Sequence, residues 1–204
     1  NSYRAVNEMF ADRVAAVADK GATVFVQDYH LMLVPALLRE RRDDVTIGYF
    51  HHIPFPSPGT MGALEQRRAV VEGLVGADIV GFQRERDVTA FRDNLEASNL
   101  SLPDGRGVTI AAYPISIDTP GVSDAARASS VHSRARELRG QWGNPAHVFL
   151  GVDRLDYTKG IPERLRAFEE LLASGAASAR DTVFVQAGSP SRESVEQYQA
   201  LSAE

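Results

Sequence analysis

Polar side chains cluster at three places in this sequence, each directly after a β-rich run. The three segments are QDYH at 27–30, HHIPFP at 51–56 and DRLDYTKG at 153–160. Between them they supply a carboxylate, a histidine pair and two cations. Ligands of parallel sheets bind outside the carboxyl ends of the strands, so segments in these positions can converge on one edge. Groups of these types can hold the hydroxyls of a sugar and the charge of a phosphate.

Two cations of the third segment, Arg154 and Lys159, lie between the end of a strand and the start of a helix. Free backbone N–H groups at a helix start also attract anions, so this arrangement indicates a clamp for a diphosphate. The alternative is a pair of surface cations that balance Asp153, Asp156 and Glu163. The residues alone leave both interpretations open.

Arg192 is a third cation near a predicted helix start, in SPSR at 189–192. Its guanidinium suits a phosphate monoester, although an exposed arginine without a ligand fits the same position. The sequence contains no G-x-x-x-x-G-K-[ST] motif and no strand-linked G-x-G-x-x-G motif. Their absence argues against P-loop and dinucleotide-binding proteins.

The carboxylate and the histidines also have structural interpretations. Asp28 has the type and the place of a residue that caps a helix near Leu31. His51 and His52 point to opposite faces of an extended strand, so we expect one of them to have a structural role. A metal site built from Asp28, His30 and His52 lacks a diagnostic spacing, and we predict no metal.

These segments need a framework that positions them, and hydrophobic periodicity predicts alternating strands and helices. The strand runs are nearly continuous in apolar residues, as in a parallel sheet covered on both faces, so the predicted fold class is α/β. Strands are predicted at 22–27, 46–51, 78–82, 108–113, 147–152 and 182–186. Helices are predicted at 14–20, 31–42, 62–75, 85–96, 125–139, 162–172 and 193–201, with a loop at 116–122 and a domain boundary near Gly143.

Composition narrows the classes of protein. The 204 residues carry 22 Lys and Arg against 27 Asp and Glu, a net charge of -5, which argues against general binding to nucleic acid or an anionic membrane. The sequence has no cysteine, which excludes disulfides and thiolate nucleophiles. Without a membrane span or an apolar signal core, we expect a cytoplasmic location. Frequent alanine and arginine suggest a bacterial source, and helical patterns at both ends predict a fragment.

Five motifs occur in an order that resembles glycosyltransferase family 20, the retaining transferases that include the trehalose-6-phosphate synthases. They are VQDYHL at 26–31, GYFHHIPFP at 48–56, GFQ at 81–83, YPI at 113–115 and VDRLDYTKG at 152–160. The resemblance implies two Rossmann-like domains of the glycosyltransferase B type, both incomplete here. Residues 1–143 would be the C-terminal part of the acceptor-side domain, and residues 144–204 the start of the nucleotide-sugar domain.

The resemblance implies transfer of glucose from UDP-glucose, or another nucleotide-glucose, to glucose 6-phosphate, which forms α,α-trehalose 6-phosphate with retained configuration. Arg154 and Lys159 would hold the donor diphosphate and neutralise the leaving nucleotide. His52 would contact the donor glucose near the reacting centre. Asp28 would bind the acceptor sugar, and Arg192 the acceptor phosphate. The family needs no metal or cofactor, and the leaving phosphate assists deprotonation of the acceptor.

The main alternative is a non-catalytic homologue that senses sugar phosphates or serves as a regulatory subunit. The joint presence of four charged residues argues against this alternative; they are Asp28, Arg154, Lys159 and Arg192. A glycogen- or sucrose-type transferase is disfavoured by the HHIPFP and DYTKG runs, and a phosphatase by the lack of a D-x-D-x-[TV] run. The glycine-rich and acidic loops of the family would lie outside the chain, so we expect the isolated chain to be inactive. The donor base, homo-oligomerisation and a fused phosphatase domain stay open.

Overall fold

The computed structural model describes residues 2–102 and 107–189, and by internal contacts the chain divides into two units, Asn1–Ile117 and Asp118–Glu204. Each described part is an α/β structure with parallel strands, so the predicted fold class is confirmed. The division lies before Gly143, where the domain boundary of the whole protein stays a prediction. Arg192 and the predicted helix at 193–201 lie outside the described residues.

The first unit is built on a four-stranded parallel sheet in the order β1-β2-β3-β4. Its strands are β1 Thr23–Gln27, β2 Thr46–His51, β3 Ile79–Phe82 and β4 Thr109–Ala112. Its helices are α1 Ser2–Val17, α2 Val34–Arg41, α3 Pro58–Met61, α4 Arg67–Leu74 and α5 Glu85–Ala97, with a 3-10 helix at Tyr29–Leu31. The four strands predicted for this unit are confirmed to within a residue at each end.

One face of this sheet carries the core. Ile47 and Tyr49 of β2 and Phe82 of β3 are buried there, with residues from α2, α4 and α5 packed over them. The opposite face is partly open within the described residues, because Phe25 is 67% exposed and Ile79 is 40% exposed. The described elements therefore cover the second face only in part, although Phe50 on that face is buried.

The second unit begins with two helices and continues with a two-stranded parallel sheet. Its elements are α6 Thr119–Arg127, α7 Ser129–Gln141, β5 His147–Arg154, α8 Ile161–Ala173 and β6 Thr182–Ser189, with a 3-10 helix at Tyr157–Lys159. The predicted loop at 116–122 is confirmed only up to Asp118, whose side chain accepts a hydrogen bond from the Gly121 N–H and starts a helix at Thr119. An extended backbone at Ala128 divides the single helix predicted at 125–139.

Helix α4 is also shorter than the predicted helix at 62–75, because it begins only at Arg67. The preceding short helix α3 starts where the Ser57 side chain accepts a hydrogen bond from the Thr60 N–H, and Pro58 supplies its first turn. Across the described ranges 2–102 and 107–189, no helix has the length and apolar character that crossing a membrane requires.

Gly76 generates a prediction about stability, because it touches the backbone of α2. A Cβ atom at Gly76 would lie 2.2 Å from Ala36 N and 2.6 Å from Pro35 C. Backbone atoms cannot move aside as a side chain can, so Gly76→Ala should lower the free energy of unfolding by about 1–3 kcal/mol, measured by urea unfolding. Gly59→Ala is the control, because its Cβ would meet only Ser57 Oγ at 3.8 Å. Equal losses in both variants would contradict the prediction.

Candidate functional site

The carboxyl ends of the four strands in the first unit bring Asp28, His52, Gln83 and Ile115 together. The Asp28 Oδ1 atom accepts a hydrogen bond from the His52 N–H at 3.2 Å. Gln83 Nε2 lies 3.1 Å from His52 Nδ1, and Gln83 Oε1 accepts from the Ile115 N–H at 2.9 Å. A continuous chain of hydrogen bonds therefore connects the loops after β1, β2, β3 and β4.

Asp28 has a backbone conformation that is rare for a residue with a side chain, with φ 69° and ψ 175°. Its N–H donates to Phe50 O at 2.8 Å, which extends the pairing of β1 with β2. Its side chain makes no capping hydrogen bond to the 3-10 helix that follows. The helix-capping interpretation is therefore wrong, and backbone strain of this kind concentrates at functional sites.

Buried contacts from α1 hold the loop that carries Asp28. Asn7 is fully buried; its Oδ1 accepts from the Leu33 N–H at 3.1 Å, and its Nδ2 donates to His30 O at 3.0 Å. The Tyr3 hydroxyl donates to Tyr29 O at 2.7 Å. Asn7 and Tyr3 could not be predicted as supporting residues from the sequence, because a polar residue on an amphipathic helix is usually exposed.

His51 is packed inside and His52 is exposed, as the alternation along a strand predicts. His51 Nδ1 lies 2.9 Å from Tyr49 Oη, and its ring packs edge-on against Phe55 with centroids 5.1 Å apart. Burial lowers the pKa of His51 below its ordinary value, because the charged ring would lose its hydration. His51 is therefore the structural histidine of the pair.

Two buried polar residues of α5 hold the loop that carries His52. Asp87 Oδ1 accepts from the Phe55 N–H at 3.2 Å, and Asn94 Nδ2 donates to Pro56 O at 3.0 Å. Both side chains are almost completely buried. Because a buried polar group is costly without its partner, these bonds favour one conformation of the loop. The sequence gives no local signal for either contact.

An open cleft of about 550 Å³ lies at this edge of the sheet. Its lining includes His52, Gln83, Arg84, Asp87 and Ile115. Gln83 and Ile115 belong to the motifs GFQ and YPI, yet neither was predicted as a site residue. Their position directly after a strand was the signal that could have identified them.

In the second unit, Arg154 lies at the carboxyl end of β5 with its side chain 58% exposed, and its Nη2 lies 3.9 Å from Asp156 Oδ2. Asp156 Oδ1 accepts hydrogen bonds from the Thr158 N–H at 2.9 Å and from Thr158 Oγ1 at 2.7 Å, which stabilises the turn to Lys159. A cleft of about 490 Å³ opens between the ends of β5 and β6, and Arg154 contributes to its lining.

Two acidic neighbours of these cations, Asp153 and Glu163, pair with other arginines. Arg164 Nη2 lies 2.6 Å from Asp153 Oδ2, and its guanidinium holds the pKa of that carboxyl below its ordinary value. Glu163 pairs with Arg166 at 3.5 Å. Lys159 is exposed and forms no salt bridge with any residue in the described part of the chain. Its charge nevertheless contributes to lowering the pKa of Asp153, after the larger effect of Arg164.

The predicted site residues are thus placed in two groups, Asp28 with His52 in the first unit and Arg154 with Lys159 in the second. Their roles in substrate binding stay predictions, as does that of Arg192, which lies outside the described residues. Within ranges 2–102 and 107–189, no group of three or more His, Cys, Asp or Glu side chains could hold a metal ion.

A sequence profile of glycosyltransferase family 20 matches residues 1–204. The chain belongs to glycosyltransferase family 20. A trehalose-6-phosphate synthase from Mycobacterium avium (strain 104) is 48% identical over 215 residues, which cover 98% of this chain and 44% of that protein. The chain therefore spans less than half the length of this curated relative.

Solved structures of related proteins also match nearly the whole of this chain, which again covers less than half of their length. A UDP-forming α,α-trehalose-phosphate synthase from Burkholderia xenovorans, in complex with glucose-6-phosphate, is 31% identical with a TM-score of 0.76, covering 98% of this chain and 47% of that chain. A structure from E. coli bound with UDP-2-fluoro glucose is 31% identical with a TM-score of 0.75, covering 98% of this chain and 46% of that chain. The predicted fold, with incomplete Rossmann-like domains of the glycosyltransferase B type, is confirmed.

His51 generates a prediction about pH, because folding lowers its pKa. The unfolded chain then binds a proton first as the pH falls below about 6.5, so stability decreases on acidification, by at most about 1.4 kcal/mol per pH unit for one proton. Urea unfolding between about pH 7 and pH 5 measures this slope. His51→Gln should lose this part of the slope, and His30→Gln, at an exposed position, should keep it. An unchanged slope in His51→Gln would contradict the prediction.

Proposed function

We propose that the protein containing this chain is a retaining glucosyltransferase that transfers glucose from UDP-glucose to glucose 6-phosphate and forms α,α-trehalose 6-phosphate. The match to family 20 over residues 1–204 supports this function. Relatives that are UDP-forming, or that bind glucose-6-phosphate or UDP-2-fluoro glucose, support the choice of substrates. The observation that carries the proposal is the exposed Arg154 at the carboxyl end of β5, beside an open cleft.

In this proposal Arg154 and Lys159 bind the donor diphosphate. Both side chains are exposed where parallel strands end, which is where ligands of α/β sheets bind. Gly160, directly after Lys159, adopts φ 61° and precedes the first residue of α8, Ile161. The start of α8 is therefore two residues from the lysine. The free N–H groups of a helix start attract phosphate, and they add to the charge of the two side chains. Negative charge that grows on the departing UDP is stabilised there.

Asp28 binds the acceptor sugar and His52 contacts the donor glucose in this proposal. Both lie at the carboxyl edge of the first sheet, and His52 lines its cleft. Arg192 binds the acceptor phosphate, since a guanidinium suits a phosphate monoester. The carboxylate suits the hydroxyls of the acceptor sugar, the histidine ring N–H suits an oxygen of the donor glucose, and the guanidinium suits the acceptor phosphate.

The proposed reaction needs no protein nucleophile, metal or cofactor. The bond between glucose C1 and the UDP oxygen breaks, and a hydroxyl oxygen of the acceptor forms the new bond to C1 on the same face. The proton of that hydroxyl passes to the leaving phosphate oxygen. The protein's part is to place the two substrates and to stabilise the charge on UDP.

The proposal concerns the whole protein, because the chain covers 44% of its curated relative. We expect residues 1–204 alone to show no turnover, since the relatives have more than half of their length outside the match. Turnover by that isolated segment would contradict this expectation. A cytoplasmic location and a bacterial source are part of the proposal.

Arg154→Ala tests the donor site in the full-length protein. We expect release of UDP from UDP-glucose that depends on glucose 6-phosphate, and a kcat lower by about 100-fold or more in the variant, because a charged donor to the leaving phosphate is removed. A coupled assay for UDP, with and without acceptor, measures both. Arg180→Ala is the control, since Arg180 is exposed in the same unit just before β6.

Two results would contradict the donor-site proposal. Equal kcat values in Arg154→Ala and Arg180→Ala would remove the role of Arg154. A folded full-length protein that releases no nucleotide from any nucleotide-glucose would instead favour the non-catalytic homologue that senses sugar phosphates.

Asp28→Asn tests the acceptor site. Asparagine has nearly the same shape as aspartate and keeps an oxygen that can accept from the His52 N–H, so the variant mainly removes the charge. We expect the KM for glucose 6-phosphate to rise by about 10- to 100-fold, because a hydrogen bond to a charged group contributes about 1.5–3 kcal/mol. The KM for UDP-glucose should change less. Asp93→Asn, on the exposed side of α5, is the control, and an unchanged acceptor KM in Asp28→Asn would remove the proposed role.

A further inference from the structure

The orientation of the Gln83 amide is set by a backbone donor. The Ile115 N–H can only donate, so the Gln83 atom 2.9 Å from it must be the carbonyl oxygen, Oε1. The amide NH2 group therefore faces His52, with Nε2 at 3.1 Å from the ring atom Nδ1. Amide orientations are generally assigned from their neighbours, and here the neighbour has a single role.

This orientation decides which nitrogen of His52 carries the hydrogen. The Gln83 NH2 group is a donor, so His52 Nδ1 must accept and cannot itself carry a hydrogen. A neutral imidazole has one N–H, which then lies on Nε2. A ring with a hydrogen on Nδ1, whether neutral or charged, would place two donors against each other at 3.1 Å.

We propose that Gln83 is a positioning residue that holds His52 in the Nε2–H tautomer, so that His52 offers a hydrogen-bond donor to an oxygen of the ligand in the cleft. The ring is anchored through Gln83, and the backbone N–H of His52 is anchored by Asp28 Oδ1. His52 therefore reaches the cleft with a defined position and a defined role.

The identity of that ligand rests on the proposed function, in which the cleft holds a hexose. An Nε2–H group suits a hydroxyl or ring oxygen of the sugar. Taking up a proton would require the unfavourable contact of Nδ1–H with the Gln83 NH2 group, so His52 does not serve as the general base. This agrees with a reaction in which the acceptor proton passes to the leaving phosphate.

Nitrogen NMR of the full-length protein, labelled with 15N-histidine and free of substrate, distinguishes a ring nitrogen that carries hydrogen from one that does not. Signals of His52 are assigned by their loss in His52→Gln. At about pH 8 we expect the hydrogen on Nε2 in the wild type. Gln83→Glu keeps the shape of the side chain but only accepts, so it should move the hydrogen to Nδ1. Gln66→Glu, at an exposed position of the same unit, should leave it on Nε2.

Kinetics provide a second readout. Gln83→Glu should lower kcat/KM for UDP-glucose by roughly tenfold, which corresponds to one lost hydrogen bond, and Gln66→Glu should not. A hydrogen on Nδ1 in the wild type, or an unchanged tautomer in Gln83→Glu, would overturn the inference. If Gln83→Glu fails to fold, the wild-type spectrum and Gln83→Ala, in which both tautomers should be populated, decide the question.

The spectra separate this inference from the proposed function, because they are recorded without substrate. A protein with the wrong tautomer that still releases UDP in the presence of glucose 6-phosphate would overturn only the role of Gln83. A protein with the expected tautomer and no release would overturn only the glucosyl transfer.

Discussion

The in-register parallel pairing of β1 to β4 is the constraint on which the candidate site of the first unit depends. Gln27 pairs with Phe50, Phe50 with Gly81, and Gly81 with Ala111, so the four strands end level with one another. The chain leaves each strand at the same edge of the sheet. Each loop is therefore close enough to its neighbour to form a hydrogen bond with it. A slip of one residue in β2 would exchange the positions of His51 and His52, because side chains alternate between the faces.

Several features beneath this edge of the sheet lower the stability of the fold. Asp28 holds a strained backbone, and the buried atoms His51 Nε2 and Asn94 Oδ1 have no hydrogen-bond partner among the described residues. Each of these features costs free energy. Each belongs to a residue that lies in, beside or in contact with a loop that carries a site residue. The surrounding aromatic packing of Phe55, Phe82 and Phe91, whose ring centroids lie about 5.4–5.5 Å apart, offsets part of the cost.

The two units share a local arrangement of secondary structure that carries different charged residues. In both, a strand is followed by a 3-10 helix and then by an α-helix, after β1 at Tyr29–Leu31 and after β5 at Tyr157–Lys159. A positive φ accompanies the turn in each case, at Asp28 and at Gly160. The first unit presents the Asp28 carboxylate at this place, whereas the second presents the cations Arg154 and Lys159.

Features that depend on neighbours along the chain could be predicted from the amino-acid sequence. Strand positions, the α/β class and the opposite directions of His51 and His52 follow from local periodicity, and the family motifs identified the ends of the strands. Features that depend on partners far apart in the chain are visible only in the folded structure. Asp28 bonds to a residue 24 positions away instead of capping a helix, and Gln83 reaches a histidine 31 positions away. Asp87 holds a loop 32 positions away. Such contacts arise when separate loops leave one sheet edge, and no local pattern encodes them.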